Sequence, residues 1–195
     1  MLLSPETAAV FINILLDPAL RKEIIKGNIT LALIRPELET TTNLRETTPD
    51  ITDVEIAEDI ESQIVGLGVI TKFTMQFDQT AYEGFYSEAK ELLRSRPPRH
   101  DESYETQWEE FGSVMVGGPV TVLLLQSDDG NAVKKLRDQI GHRDIENRRD
   151  PATIRGQIGV DNYSTIIHSS DCPESVINET DIIIDCICRQ LSSVC

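Results

Sequence analysis

Basic residues are scarce in this 195-residue sequence: 18 Lys and Arg stand against 33 Asp and Glu, a formal net charge of -15. Such a field disfavours nucleic acid and anionic membrane as main partners, because both are polyanions. It also obliges any phosphate site to gather its cations locally. Long apolar runs are missing too. The most apolar early stretch, Ala8 to Leu16, is short and follows Glu6 with no basic segment ahead of it. It reads as an amphipathic helix, not a membrane span or a leader, and with no targeting signal in view the expected location is the cytoplasm. Cysteine is confined to Cys172, Cys186, Cys188 and Cys195, all in the last quarter of the chain. These residues cannot staple the whole fold, Cys186-x-Cys188 lacks the second half of a zinc site, and reduced thiols are expected. Aromatics make up 5% of the chain and are not interleaved with basic residues, unlike a nucleic-acid stacking platform.

What is present is ordinary globular composition, 39% hydrophobic and 26% charged, at a length that fits one domain with some decoration. Residues 4–26 read as one or two helices broken near Pro18. Residues 30–34 form a short buried strand halted by Arg35-Pro36, and the Thr-rich stretch 38–51 reads as a loop. Thr52-x-x-Glu55 fits a capping box, and Ile56, Ile60 and Ile64 line one face of the helix that follows. Val69, Thr71, Phe73, Met75 and Phe77 alternate with polar residues, as in a half-buried strand. Further helices are expected over 79–96, around Thr106–Met115 and over Asn131–Ile140, and a last one opened by Ser170 or Asp171 with Pro173 in its first turn. Val120–Leu125 and Ile166–His168 supply two more strands, with 142–162 a long loop between them. Two βαβ-like halves imply an α+β, ferredoxin-like sandwich: a four-stranded antiparallel sheet with helices on its faces. The expected organisation is an N-terminal helical extension over 1–27, the domain over 28–185, and a C-terminal tail over 186–195.

The three histidines are His100, His142 and His168. The first two belong to polar loop segments. His168 ends an apolar strand and precedes Ser169-Ser170-Asp171 at a helix start, where backbone N–H groups and the helix dipole favour anions. A neutral imidazole there is a competent nucleophile near pH 7. Glu179, on the next helix, is a candidate to orient one ring nitrogen and leave the other to attack, with Ser170 bridging the two. Against the acidic background, Arg137, Arg143, Arg148, Arg149 and Arg155 fall within nineteen residues. Guanidinium forks match phosphate oxygens bidentately. Taken singly, a histidine at a strand end and an arginine-rich loop are more often structural; it is their combination that points to phosphate chemistry.

Together these residues resemble the signatures of the nucleoside diphosphate kinase family. Ile166-Ile167-His168-Ser169-Ser170-Asp171 is similar to that family's Ile-Ile-His-Gly-Ser-Asp. Ala152-Thr153-Ile154-Arg155-Gly156 resembles its Gly-Thr-Ile-Arg-Gly, and Gly118-Pro119-Val120 its Gly-Pro-Val. The motifs keep the family's order over about residues 28–185. The resemblance implies ping-pong transfer of a γ-phosphoryl group between nucleoside tri- and diphosphates through phospho-His168, supported by Ser170 and Glu179. It implies phosphate-binding roles for Arg137 and Arg155, an active-site role for Tyr86, Mg²⁺ carried on the nucleotide phosphates without a protein-only metal site, and a homo-oligomer.

Four positions depart from the family pattern. Arg35 stands for a lysine, Arg143 for a phosphate-contacting threonine, Thr165 for a sugar-contacting asparagine, and Ser169 for a glycine. The base-clamping phenylalanine has Trp108 as its nearest aromatic, in a segment longer than usual. Altered nucleotide preference is a corollary. The alternative of another class is a catalytically impaired nucleotide-sensing or interaction module with the same fold.

Overall fold

The computed structural model describes residues 3–35, 53–95, 103–141, 150–158 and 166–193. Strand β1, Ile29–Ile34, is buried at all six positions. Its unbroken run of β-branched and aliphatic residues suits a strand covered on both faces. It lies at the centre of a four-stranded sheet of order β2-β3-β1-β4. β2 is Gly68–Gln76, β3 is Pro119–Gln126 and β4 is Ile167–Ser169. Every pairing is antiparallel. β4 at the edge is only three residues long, and it carries His168 opposite Leu33.

Alternation along β1 and β3 sends side chains to two cores. One face gathers Leu31, Leu33, Phe73, Met75, Val122 and Leu124 with residues of six helices. These include α1 (Pro5–Leu16), α2 (Pro18–Ile25), α4 (Gln79–Phe85), α6 (Tyr104–Gly117) and α9 (Pro173–Ser192). The other face packs Ala32, Ile34, Leu123 and Leu125 against α3 (Asp53–Ser62), α7 (Ala132–Ile140) and α8 (Ile154–Ile158). The remaining helix, α5, is Ser87–Ser95. This is the ferredoxin-like sandwich expected from the order of elements. Among the described residues no helix is long and apolar enough to cross a membrane.

Several local expectations are corrected. Helix 79–96 is two helices meeting at Tyr86, whose φ of -108° and ψ of 20° cap the first. Val69 was expected to face inward with Phe73, but it is 46% exposed. A register shift between Val69 and Thr71 takes it out of the inward series, because one extra residue reverses the side-chain alternation. Part of the expected loop 142–162 is helical: Asp150 and Thr153 supply the turn that opens α8, with Thr153 Oγ1 accepting from Gly156 N. The cap of α9 is Cys172, which accepts from Ser175 N at 3.4 Å, since Ser170 is engaged elsewhere. Ala8, Leu15 and Ile24 are fully buried in the same core as the sheet, as are Cys186 and Ile187. α9 continues to Ser192. The capping box at Thr52 and the loop 38–51 lie outside the described residues.

Asp78 joins two of these elements. One carboxylate oxygen accepts from Ala81 N at the start of α4, and the pair of oxygens takes the Arg189 fork at 2.7 and 2.9 Å. The Arg189 bonds, followed by the Ala81 N–H, hold the Asp78 carboxyl below the usual carboxylate range, against the opposing effect of burial. A depressed folded-state value means stability that is present above the unfolded value, about 4, and lost as pH falls through the folded one. Asp78→Ala should therefore destabilise the chain at pH 7 by about 1 kcal/mol for the lost cap, with at most about 1 more for the half-exposed ion pair. The difference from wild type should shrink below about pH 4. Urea unfolding at pH 7 and pH 3 checks this; an equal difference at both would count against the ion pair.

Candidate active site

His168 is placed by backbone pairing and held by a carboxylate. Among the described residues β4 pairs only with β1, and the chain then turns so that Ser170 N donates to Leu31 O. The His168 ring lies over the first turns of α9. There its Nε2 is 3.0 Å from Glu179 Oε1, while Ser170 Oγ donates to Glu179 Oε2 at 2.5 Å. The His168 and Glu179 side chains are 20% and 10% exposed. A carboxylate only accepts, so Nε2 carries the proton in this pairing. That leaves Nδ1 with its lone pair, and it makes no hydrogen bond among the described residues. Ser169 is buried within β4 opposite Ala32. Among the described residues Asn131 alone of the non-glycines has a positive φ, so position 169 does not require the conformational freedom of glycine.

An aromatic wall closes one side of the imidazole. Phe85 and Tyr86 meet it edge to face, with centroids at 5.0 and 5.8 Å. Both come from the junction of α4 and α5, so the break at Tyr86 is what turns them toward β4. Tyr86 Oη contacts Met115 Sδ at 3.8 Å, and burial raises its phenol above the ordinary tyrosine value. Arg35, the residue after β1, reaches the same methionine with Nη1 at 3.2 Å and lies over the Phe111 ring at 5.6 Å. It is 2% exposed, and burial pushes its guanidinium below the usual arginine value, with Tyr86 acting the other way.

Two further cations, Arg137 and Arg155, hold groups near His168 in the chain. Arg137, in the last turn of α7, ion-pairs with Asp171, three residues past the histidine. Arg155 on α8 is 8% exposed and donates to Gly141 O and to Ile167 O, each at 2.8 Å. Gly141 caps α7 with φ +88°. A Cβ placed there would lie 2.5 Å from Thr153 Oγ1 and 2.7 Å from Thr153 Cβ. Gly141→Ala combines that clash with a backbone region that L residues avoid. It should cost about 2 kcal/mol or more, a fall in Tm of roughly 5 °C or more for a chain of this size. Calorimetry would show it; an unchanged Tm would mean that the α7–α8 corner relaxes freely.

The structure thus brings His168, Glu179, Ser170, Tyr86 and Arg155 into one locality, with Arg35 linked to it through Met115 and Tyr86. Arg137 joins it through Asp171. Trp108 is placed differently from the open stacking surface expected of a base clamp. It is 7% exposed, meets Tyr82 in a tilted contact at 4.6 Å, and has Lys90 over its ring at 5.0 Å. Its faces are occupied by the core. Arg143 and Thr165, also expected at the site, lie outside the described residues. Phe85, Phe111, Met115 and Asp171 were not singled out by sequence. Adjacency to Tyr86 and to His168 was the available signal for Phe85 and Asp171. The other two looked like ordinary helix residues.

The chain is similar to known nucleoside diphosphate kinases. The family model described as nucleoside diphosphate kinase matches residues 29–186. A nucleoside diphosphate kinase of Aquifex aeolicus is 35% identical over 105 residues, spanning 50% of this chain and 72% of the relative. One from Bordetella pertussis is 31% identical over 130 residues, spanning 64% and 81%. A crystal structure of the Aquifex aeolicus enzyme superposes with a TM-score of 0.55 at 26% identity, covering 80% of this chain and 94% of the other.

Proposed function

The chain belongs to the nucleoside diphosphate kinase family, and from that premise we propose that it carries the phosphoryl group on Nδ1 of His168. The observation that supports this most directly is the Ser170–Glu179–His168 chain of hydrogen bonds. By engaging Nε2 it presents the Nδ1 lone pair. In the first half-reaction Nδ1 attacks the γ-phosphorus of a nucleoside triphosphate. The N–P bond forms as the bond to the β,γ-bridging oxygen breaks, and the nucleoside diphosphate leaves. In the second, a terminal oxygen of another diphosphate attacks the same phosphorus and the N–P bond breaks.

Attack draws positive charge onto the imidazole, so the Nε2–H bond to Glu179 strengthens as the transition state forms. A bond to a charged partner contributes about 1.5–3 kcal/mol, and only the part gained between ground and transition state accelerates the step. Phe85 and Tyr86 limit the rotation of the ring and exclude water from one side. Arg137 and Arg155 place positive charge near the incoming phosphates, where guanidinium groups stabilise spreading equatorial charge. Arg35, and Arg143 and Thr165 beyond the described residues, belong to the same proposed binding surface.

This reading has Mg²⁺ arriving on the nucleotide phosphates and not at a protein-only site. Mg²⁺ bound in that way neutralises charge on the phosphate oxygens. A homo-oligomer and a cytoplasmic location complete this reading. The test is single-turnover labelling with γ-labelled ATP and Mg²⁺. An acid-labile, base-stable phosphoprotein that discharges onto added diphosphate supports the assignment. No label in a chain that binds nucleotide would favour a catalytically silent module with the same fold.

A further inference from the structure

Arg155 matches a phosphate-binding position by motif, yet both of its terminal nitrogens hold backbone carbonyls. Nη2 donates to Ile167 O and Nη1 to Gly141 O. The first acceptor belongs to the peptide that enters His168. Among the described residues β4 is an edge strand, paired on one side with β1. Ile166 O faces β1 and accepts from Arg35 N; by the alternation of an antiparallel ladder, Ile167 O faces away from β1. An edge carbonyl of this kind has no strand to pair with. The guanidinium stands in for the missing strand. The second acceptor is the end of α7, the helix that carries Arg137 in its last turn.

The corner that presents Arg155 is itself tightly built. Thr153 N donates to Asp150 O, Gly156 N donates to Thr153 Oγ1, and Thr153 lies within van der Waals reach of the α-carbon of Gly141. Arg155 is 8% exposed. A planar fork with two terminal nitrogens can span two carbonyls at a fixed separation, whereas an ammonium is a single point with no such reach. The geometry therefore serves registration of two elements, over and above any contact with a nucleotide.

We propose that Arg155 is a positioning residue: a two-pronged clamp that locks the strand of His168 to the end of the Arg137 helix and so fixes the nucleophile relative to the incoming phosphate. This rests on the reading of His168 as the phosphoryl carrier. A clamp sets the rate of chemistry once nucleotide is bound, because small displacements of a reacting atom cost large factors in rate. A phosphate contact needs the positive charge, which lysine retains, whereas the clamp needs the fork, which lysine lacks.

The experiment is R155K in single-turnover labelling across a range of ATP concentrations at saturating Mg²⁺. It yields the nucleotide Kd and the limiting phosphorylation rate separately. The clamp predicts a limiting rate reduced at least about tenfold, with Kd within about twofold of wild type and with far-UV circular dichroism unchanged. A raised Kd with an unchanged limiting rate would overturn the proposal and leave Arg155 as a phosphate ligand alone.

A second measurement does not depend on the variant folding. In the nucleotide-free wild-type chain, the Arg155 Nη protons should be protected from solvent exchange by the two carbonyls. Protection that appears only after ATP and Mg²⁺ are added overturns the clamp. A wild-type chain that takes no label at His168 refutes the kinase reading instead, while a labelled wild type with a normal R155K rate refutes only the clamp.

Discussion

His168→Ala should take up no label from γ-labelled ATP, and its steady-state transfer rate should fall by about 10⁴-fold or more. The size follows from the reaction type. In a ping-pong mechanism the covalent carrier is the only route between the two nucleotides, and no positioning effect replaces a missing nucleophile. The fold should survive. The ring is 20% exposed, and its one hydrogen bond among the described residues is to Glu179, which keeps its bond from Ser170. Loss of packing against Phe85 and Tyr86 should cost about 1–2 kcal/mol. Nucleotide affinity should remain close to wild type. Labelling, calorimetry and equilibrium nucleotide binding on one preparation separate these effects. A variant that still forms an acid-labile phosphoprotein would move the nucleophile to another residue.

Glu179→Gln should slow phosphorylation by about 10²–10³-fold while leaving the protein folded. The closest general precedent is an orienting carboxylate behind a catalytic histidine, whose replacement by an amide costs about 10⁴. A smaller factor is expected here because the imidazole is the nucleophile and keeps its place between Phe85 and Tyr86. The amide matches the carboxylate in shape but offers one donor end and one acceptor end. If the donor faces His168, Nε2 must accept, and the proton moves to Nδ1, the atom that should attack. If the acceptor faces His168, the tautomer is retained but the negative charge that supports the developing imidazolium is gone. Either orientation slows the chemical step. Ser170→Ala removes only the bond to Glu179 Oε2 and should cost about tenfold. Rapid-quench labelling of both variants gives the order. Equal rates for Glu179→Gln and wild type would show that the carboxylate is structural.

Much of the site was legible because phosphoryl chemistry needs residue types that stand out in this composition. One histidine after an apolar strand, followed by Ser170 and an acidic helix, is a local pattern. An arginine cluster in a chain of net charge -15 is conspicuous. The spacing from His168 to Glu179 was also readable, but their contact was not. Eleven residues separate them, across a strand end, a turn and a capped helix start, and the angle of α9 to β4 decides whether they meet. Sequence failed more clearly at Val69, and it did not show that Trp108 is buried. An aromatic in an expanded segment looks the same whether it lines a cleft or fills a core. A strand's alternation does not reveal a register shift in advance. Phe85 and Met115 were overlooked because apolar residues on helices carry no chemical signature until something polar is seen beside them.

By itself the sequence determined the order of the four strands, the antiparallel α+β architecture and the candidate nucleophile. Those features depend on short-range periodicity and on motifs a few residues long. Only the tertiary structure decided which nitrogen of His168 is left to react, how α4 and α5 turn Phe85 and Tyr86 onto its ring, and that Arg155 grips backbone carbonyls. It also decided that helices α1 and α2 and the end of α9 share the core of the sheet. Each of these depends on contacts between residues far apart in the chain. Their geometry is set by how two cores pack against one twisted sheet, a property that no local pattern contains.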